Sequence, residues 1–286
     1  MAQKGTVIIP AYNRPEFLYL TLEYITKADG ADKYDYVICL DHGFDKQCED
    51  VLDDFPFNWV TIARSEHIYH KHTKLAYNIL NGLVYAALNG GLVFLIEDDV
   101  FIGKDYFKWH EAIHEQEDIF CSIGAKNFNN RNVPKGKLHE YYIDDGVYQS
   151  VGVCYDAGMI EAYITPHFNK LYFADPYEYI KQMFPDSKIP KDRIEQAGLI
   201  HRISEKNNIK EAFPCVPRCF HAGIYGKNRG IPQKGTLSEK ITFIRNTVFD
   251  INEMRKYVSN EFYLYDSEPV DLTKTNNREL CRVKNQ

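Results

Sequence analysis

The 286-residue sequence lacks the features that mark several large classes of protein. No apolar run reaches the roughly 18 residues of a membrane-spanning helix, so the sequence predicts no membrane span. The net charge of −6 argues against a generally basic nucleic-acid-binding protein. Seven cysteines, an odd number at irregular spacing, favour reduced thiols over a disulfide framework. Because no apolar signal-peptide segment precedes the first strand pattern either, we predict a cytoplasmic protein.

Three common catalytic motifs are also missing. The sequence contains neither a Gly-x-Gly-x-x-Gly fingerprint nor a Gly-Lys-Ser/Thr phosphate loop, which argues against dinucleotide-binding and P-loop proteins. It contains no Gly-x-Ser-x-Gly nucleophile elbow. Internal repeats and low-complexity segments are absent as well. With 44% hydrophobic residues, the chain has enough apolar side chains for a sizeable core.

The most informative stretch is an apolar run followed directly by three acids. Two glycines precede residues 92–96, and Glu97, Asp98 and Asp99 come immediately after them. A short run of this kind is typical of a strand buried on both faces of a parallel sheet. Ligands bind at the carboxyl ends of such strands, and three adjacent carboxylates repel one another unless a cation lies among them. A strand that ends in a solvated acidic turn is the alternative.

Strand and helix patterns alternate through the first 125 residues. Strands are predicted over residues 6–10, 36–40, 59–63 and 92–96, and amphipathic helices from residue 15, over 73–89 and over about 105–117. This order predicts an α/β fold, with a doubly wound and mostly parallel sheet. The second half is less regular, with predicted strands over 118–123 and 147–155, a strand or extended stretch over 213–220, a loop over 126–146 and helices over 192–207 and 238–258.

Three motifs in this order resemble nucleotide-sugar-dependent glycosyltransferases of the GT-A (Rossmann-like) fold. They are residues 7–14, which resemble the opening of the family-2 enzymes, residues 39–41, and residues 94–100, whose Glu-Asp-Asp is similar to that of N-acetylglucosaminyltransferases. The resemblance implies a nucleotide-sugar-binding half over residues 1–125 and an acceptor or catalytic half over 126–235. Residues 236–286 would form a C-terminal helical extension and tail.

The resemblance also implies a divalent cation, Mn²⁺ or Mg²⁺. In these enzymes the last acid of the triplet binds the metal that bridges the donor's diphosphate, and that residue is Asp99 here. A late histidine often supplies a second ligand, and His221 is the candidate in this chain. A mixed carboxylate and imidazole site suits Mn²⁺ better than Mg²⁺. A structural role for His221 is the alternative.

By the same resemblance, the donor is a nucleoside-diphosphate sugar, with UDP as the expected nucleotide. Asp41 would contact the base, Arg14 would lie near uracil, and Arg64 and Lys74 are weaker candidates for the diphosphate. The residues implied in donor binding are Pro10, Tyr12, Arg14, Asp41, Glu97 and Asp98.

An inverting transferase needs a general base that takes the proton of the acceptor hydroxyl. The family places this acid at the start of a helix in the second half, and Glu195 is the match. The family often has a second acid next to it, where this chain has Gln196. Asp175 and the pair Asp144 and Asp145 are alternatives, and Glu195 could also be an ordinary surface residue.

Two other functions remain open at this point. The first is a nucleotidyltransferase that makes the activated sugar, although such enzymes carry a glycine-rich basic loop after the first strand, where this chain has residues 11–14. The second is a non-catalytic domain that binds a sugar or a metal. For the transferase, the acceptor is expected to be a glycan or another hydroxyl compound. The basic loops 126–137 and 227–234 leave a phosphate-rich acceptor, even a nucleic acid with hydroxylated bases, as a less favoured option.

Overall fold

The computed structural model describes residues 5–64, 73–125, 139–145, 148–223, 234–247 and 281–282. The loops 126–137 and 227–234 lie outside the described residues, except for Lys234, and so does the predicted helix beyond residue 247. Within the described residues, no helix has both the length and the apolar character needed to cross a membrane.

The described chain forms one large sheet, one short ribbon and the helices around them. The strands are β1 Thr6–Ala11, β2 Asp35–Leu40, β3 Trp59–Ala63, β4 Leu92–Leu95, β5 Val100–Ile102, β6 Cys121–Ile123, β7 Glu140–Asp145, β8 Val153–Asp156, β9 Lys210–Pro214, β10 Cys219–His221 and β11 Cys281–Arg282. The helices are α1 Pro15–Lys27, α2 Gln47–Asp50, α3 Lys74–Ala87, α4 Tyr106–Gln116, α5 Ala157–Met159, α6 Lys170–Ala174, α7 Pro176–Met183, α8 Gln196–Asn207 and α9 over residues 237–247.

The nine-stranded sheet has the order β11-β7-β9-β6-β8-β4-β1-β2-β3. Strands β4, β1, β2 and β3 are mutually parallel, whereas β8 runs antiparallel to both β4 and β6. The chain leaves β1 towards β2 and later returns on the other side of β1 to form β4. Strands β1 and β4 are therefore the point where the strand order reverses, which is where open α/β sheets bind ligands.

Helices cover both faces of this sheet. Helix α3 approaches one face so closely that a Cβ on Gly82 would lie 2.6 Å from Cys39 Sγ and 3.4 Å from Ile8 Cδ1. Phe94 is opposite Val7 in the register and points to the other face, where it meets Phe107 of α4 at a ring distance of 5.1 Å. The prediction of an α/β fold with a doubly wound, mostly parallel sheet is therefore confirmed.

Three local predictions were wrong. Residues 140–145 form β7 rather than part of a loop, because Tyr141 and Tyr142 are buried and the Tyr142 ring stacks on Phe213 of β9. The predicted strand over 213–220 is two separate strands, β9 and β10, which belong to different sheets. The helical spacing over 73–89 predicts that Leu75 lies on the apolar face of α3, but Leu75 is half exposed at the start of the helix.

Phe94 is the aromatic centre of the α4 side of the core. It is fully buried, and its ring packs against Tyr34, Tyr106, Phe107 and His110. We expect Phe94→Ala to lower the free energy of unfolding by about 3 to 5 kcal/mol, since it removes a large buried ring and leaves a cavity. Urea denaturation measures this loss. Leu88→Ala is the matched control, because Leu88 is 76% exposed and its truncation should change stability by at most about 0.5 kcal/mol.

Candidate active site

The parallel strands bring several polar side chains to one edge of the sheet. Arg14 follows β1, Asp41 follows β2, Arg64 follows β3, and Asp98 and Asp99 follow β4. All of these strands end at the same edge, because they run in the same direction. The structure thus gathers at this edge residues that are far apart in the sequence.

Arg14 joins the acids that follow β4. Its Nη2 and Nε atoms donate to Oδ1 and Oδ2 of Asp98, with a distance of 3.3 Å for the Nε contact. Its Nη1 donates to Oδ2 of Asp99 at 2.6 Å. Both aspartates are buried, and a quarter of the Arg14 side chain is exposed. One guanidinium therefore bridges two neighbouring carboxylates.

Helix α1 fixes both sides of this contact. Arg14 is its N-cap residue, and the Arg14 carbonyl accepts from Phe17 N and Leu18 N at 3.1 Å. The guanidinium lies over the ring of Phe17, at 5.3 Å from the centroid. Thr21 of the same helix donates its hydroxyl to the Asp98 carbonyl at 2.7 Å. The position of the acidic turn therefore depends on α1 as well as on β4.

His221 reaches the acids through the short ribbon. Strand β5 begins directly after Asp99 and pairs with β10 in antiparallel register, with His221 opposite Val100. The Ala222 N–H donates to the Asp99 carbonyl at 2.7 Å, and His221 Nε2 lies 3.6 Å from Asp99 Oδ1. A Cβ on Gly223 would lie 2.6 Å from Asp99 Oδ2, so a larger residue would disturb the carboxylate.

One oxygen of this cluster is suited to a cation. Asp99 Oδ1 is buried and has no hydrogen-bond partner among the described residues, and it faces the His221 imidazole. A carboxylate oxygen and an imidazole nitrogen at this separation are a donor pair that Mn²⁺ accepts. In the part of the chain that the structure describes, no three His, Cys, Asp or Glu side chains converge as a metal centre. Asp99 and His221 thus offer two of the ligands that such a cation needs, and water could supply the others.

The remaining acid, Glu97, is half buried and accepts a hydrogen bond from Ser150, just before β8. Burial, together with the charges of Asp99 and Asp98, raises the pKa of Glu97 to about 8. Burial also raises the pKa of Asp98 to about 7, although Arg14 acts in the opposite direction. Carboxylates held this close to one another keep protons that isolated ones would lose.

A second pair of charges lies at the ends of β2 and β3. Arg64 donates Nε to Asp41 Oδ1 at 2.7 Å and also contacts it through Nη2, and His42 N donates to the same oxygen at 2.8 Å. Tyr12 directly follows β1, the strand that lies between β2 and β4 in the sheet. Its side chain is 41% exposed, and its hydroxyl lies 4.0 Å from the position of a Cβ on Gly43. Pro10 is buried in β1 opposite Cys39.

Glu195 contacts a different part of the chain from the acidic turn. It is the N-cap residue of α8, and its carboxylate pairs with Arg193. None of its described contacts reaches Asp99, His221 or Asp41. The connection is indirect: Tyr172 donates to the carbonyl of Ile194, and Thr73, at the start of α3, donates to the carbonyl of Phe173. The start of α8 is thus tied to the start of α3, which lies at the carboxyl edge of the sheet.

The other acids considered for the role of base have structural contacts. Asp175 caps α7 and accepts from Glu178 N at 3.0 Å. Asp144 and Asp145 belong to β7, which three strands separate from β4. Thr21, Ser150 and Gly223 contact the acidic turn but were not expected from the sequence. Of these three, only Gly223 is close in the sequence to a residue that was expected at the site, because it follows His221 by two positions.

Comparisons with known proteins find similarity in structure alone. No protein-family model and no curated protein matches the sequence. The structure of S. aureus TarS residues 1–349 is 12% identical over 95% of this chain and 77% of that one, with a TM-score of 0.48. The Pyrobaculum calidifontis mannosyltransferase PcManGT, in complex with GDP-Man and Mn²⁺, is 13% identical over 75% and 57% of the two chains, with a TM-score of 0.43.

A third similar structure is the 4-diphosphocytidyl-2C-methyl-D-erythritol synthase of Anaerococcus prevotii. It is 13% identical over 85% of this chain and 97% of that one, with a TM-score of 0.46. The similar structures therefore include a mannosyltransferase, which belongs to the class that the sequence resembles, as well as an enzyme of another kind. TM-scores below 0.5 do not assign this chain to either.

The raised pKa of Glu97 gives a pH-dependent effect on stability. Between its ordinary pKa of 4.5 and about 8, the folded state holds a proton that the unfolded state releases, so this carboxyl lowers stability as the pH rises. We expect Glu97→Gln to gain stability relative to the parent protein from pH 5 to pH 8, in the presence of a chelator. Urea denaturation at both values measures this gain. If Glu97→Gln differs in stability from the parent protein by the same amount at pH 5 and at pH 8, the assignment is wrong. We expect such a constant difference for the control Glu161→Gln, at an exposed position.

Proposed function

We propose that this protein is a metal-dependent glycosyltransferase that moves a sugar from a nucleoside-diphosphate donor, with UDP as the expected nucleotide, to an acceptor hydroxyl. The observation that carries the proposal is the buried Asp99 Oδ1, which faces His221 where the strand order reverses. Asp99 and His221 would hold Mn²⁺ or Mg²⁺ beside the donor's diphosphate. When bound, such a cation offsets the negative charge that builds up on the departing nucleoside diphosphate.

The nucleoside would lie at the carboxyl ends of β1 and β2. Tyr12 offers an exposed ring at the end of β1, and Asp41 offers a carboxylate that Arg64 and the His42 N–H hold in place. A carboxylate fixed in this way accepts a hydrogen bond from an N–H of the base. The proposed donor side also includes Pro10 and Arg14, in and after β1, and Glu97 and Asp98, after β4.

Glu195 is the proposed general base, and inversion at the anomeric carbon is the proposed outcome. The support is its place at the start of α8, which the contacts of Tyr172 and Thr73 tie to the edge of the sheet that carries the acids. Glu195 would take the proton of the acceptor hydroxyl as that oxygen attacks from the face opposite the leaving diphosphate.

The cation site is tested by ligand-dependent stability. We expect Mn²⁺ and a UDP-sugar together to raise the unfolding temperature, because a ligand at a hundred times its Kd stabilises the folded state by about 2.7 kcal/mol. Asp99→Asn should lose the metal-dependent part of this shift, and Asp32→Asn, at an exposed acid of the helical turn after α1, should keep it. The proposed site is wrong if Asp99→Asn responds as the parent protein does.

Glu195→Gln tests the proposed base. We expect the rate of donor turnover, measured as nucleoside diphosphate released from the UDP-sugar, to fall by about 10² to 10⁴. The thermal shift with Mn²⁺ and donor should remain, because Glu195 makes no described contact with the cation site. Glu161→Gln serves as the control with an unchanged rate. Equal rates for Glu195→Gln and the parent protein would rule out this base and turn attention to Asp175.

The same assay separates the two other functions. Release of pyrophosphate from a nucleoside triphosphate and a sugar phosphate, without turnover of the UDP-sugar, would identify a nucleotidyltransferase. Binding of the UDP-sugar without turnover, over a panel of glycan acceptors and hydroxylated nucleic acids, would identify a non-catalytic domain. The anomeric configuration of the product, read by NMR, distinguishes inversion from retention.

A further inference from the structure

The two acids that precede β5 have different surroundings. Both oxygens of Asp98 accept hydrogen bonds from the Arg14 guanidinium. Asp99 gives Arg14 only Oδ2, and its Oδ1 faces His221 without a hydrogen-bond partner among the described residues. Arg14 therefore binds both oxygens of Asp98 but only one oxygen of Asp99.

We infer that Arg14 is a positioning residue for the cation site, anchored by Asp98, and that it turns Asp99 so that Oδ1 faces His221. This inference rests on the proposed function, because it concerns the cation that Asp99 and His221 would hold. It assigns Asp98 to Arg14 rather than to the metal. Arg14, which the sequence resemblance places near the base, then acts on the cation through Asp99.

The geometry of the guanidinium supports this role. A guanidinium has a rigid planar set of donors that can hold two carboxylates in a fixed relation, whereas an ammonium group acts as a point charge. Arg14 itself is held by its N-cap position on α1 and by the ring of Phe17. Helix α1 is held in turn by α9, through buried Ile244 and the ion pair of Arg245 with Glu23. The orientation of Asp99 is therefore built into the fold.

A positioning role and a purely electrostatic role predict opposite results. A positive charge beside the cation repels it, so a purely electrostatic Arg14 would weaken metal binding, and Arg14→Gln would then bind Mn²⁺ more tightly. If Arg14 positions Asp99, both Arg14→Lys and Arg14→Gln bind Mn²⁺ more weakly. Loss of a group that orients a metal ligand typically costs about 10- to 100-fold in metal affinity.

The experiment measures Mn²⁺ binding to the full chain by electron paramagnetic resonance, without donor or acceptor. We expect the parent protein to show a nitrogen coupling from the His221 imidazole, which His221→Gln removes. Arg14→Lys should weaken binding by about 10- to 100-fold and lose this coupling, because Asp99 Oδ1 no longer faces the histidine. Lys181→Gln, which removes a positive charge from an exposed ion pair with Glu178 on α7, is the control and should bind as the parent does. Circular dichroism verifies that each variant is folded.

A double variant tests the assignment of Asp98. Arg14→Gln with Asp98→Asn replaces both partners by neutral groups of similar shape, which limits the cost to folding. If Asp98 acts only through Arg14, the double variant binds Mn²⁺ as weakly as Arg14→Gln alone. Further weakening would show that Asp98 is itself a ligand, and would overturn the inference.

The outcomes also separate this inference from the proposed function. Binding that Asp99→Asn abolishes, but that Arg14→Lys leaves unchanged or Arg14→Gln strengthens, overturns the role of Arg14 and leaves the cation site intact. A parent protein that binds no Mn²⁺ overturns both. Weaker binding in both Arg14 variants, with loss of the nitrogen coupling, supports both.

Discussion

The candidate site depends on how the fold balances the charge of three consecutive carboxylates at the end of β4. Asp98 and Asp99 are buried, and together with Glu97 they would repel one another strongly without compensation. Arg14 compensates part of this charge. Burial alone would lower the pKa of its guanidinium, but the charges and hydrogen bonds of both aspartates raise that pKa above its usual value. One arginine cannot balance three acids, so a negative charge or bound protons remain. The position of α1, which carries both Arg14 and Thr21, is therefore as important for the site as the position of β4.

The edge of the sheet that carries the candidate site has two parts with different charge. At the ends of β2 and β3, Asp41 and Arg64 form a nearly buried pair that balances itself. At the end of β4 the acids outnumber the cations. A neutral, planar group is compatible with the first part and a cation with the second. A nucleoside diphosphate, which is the donor group proposed above, has an uncharged base at one end and phosphates that bind a metal ion at the other.

The sequence predicted those features that have a local signal. The buried run before Glu97, the helix after Pro15 and the alternation of strands and helices are each visible within a few residues, and the parallel sheet follows from their order. The partners across the sheet were not predictable in this way. The sequence of β7 looks polar, and its pairing with β9, where Tyr142 stacks on Phe213, has no local signal in the sequence. Likewise, nothing near Arg14 in the sequence shows that its guanidinium contacts Asp98 and Asp99 rather than solvent or a ligand.

The antiparallel pairing of β5 with β10 has a consequence for how the protein is made. Val100 and His221 meet across the ribbon, yet most of the second half of the sheet lies between them in the chain. Contacts of such long range form slowly, since a large loop must close first. During synthesis, the acids that follow β4 leave the ribosome after Arg14 but long before His221. Assembly of the imidazole next to Asp99 would then report that the whole central region has folded.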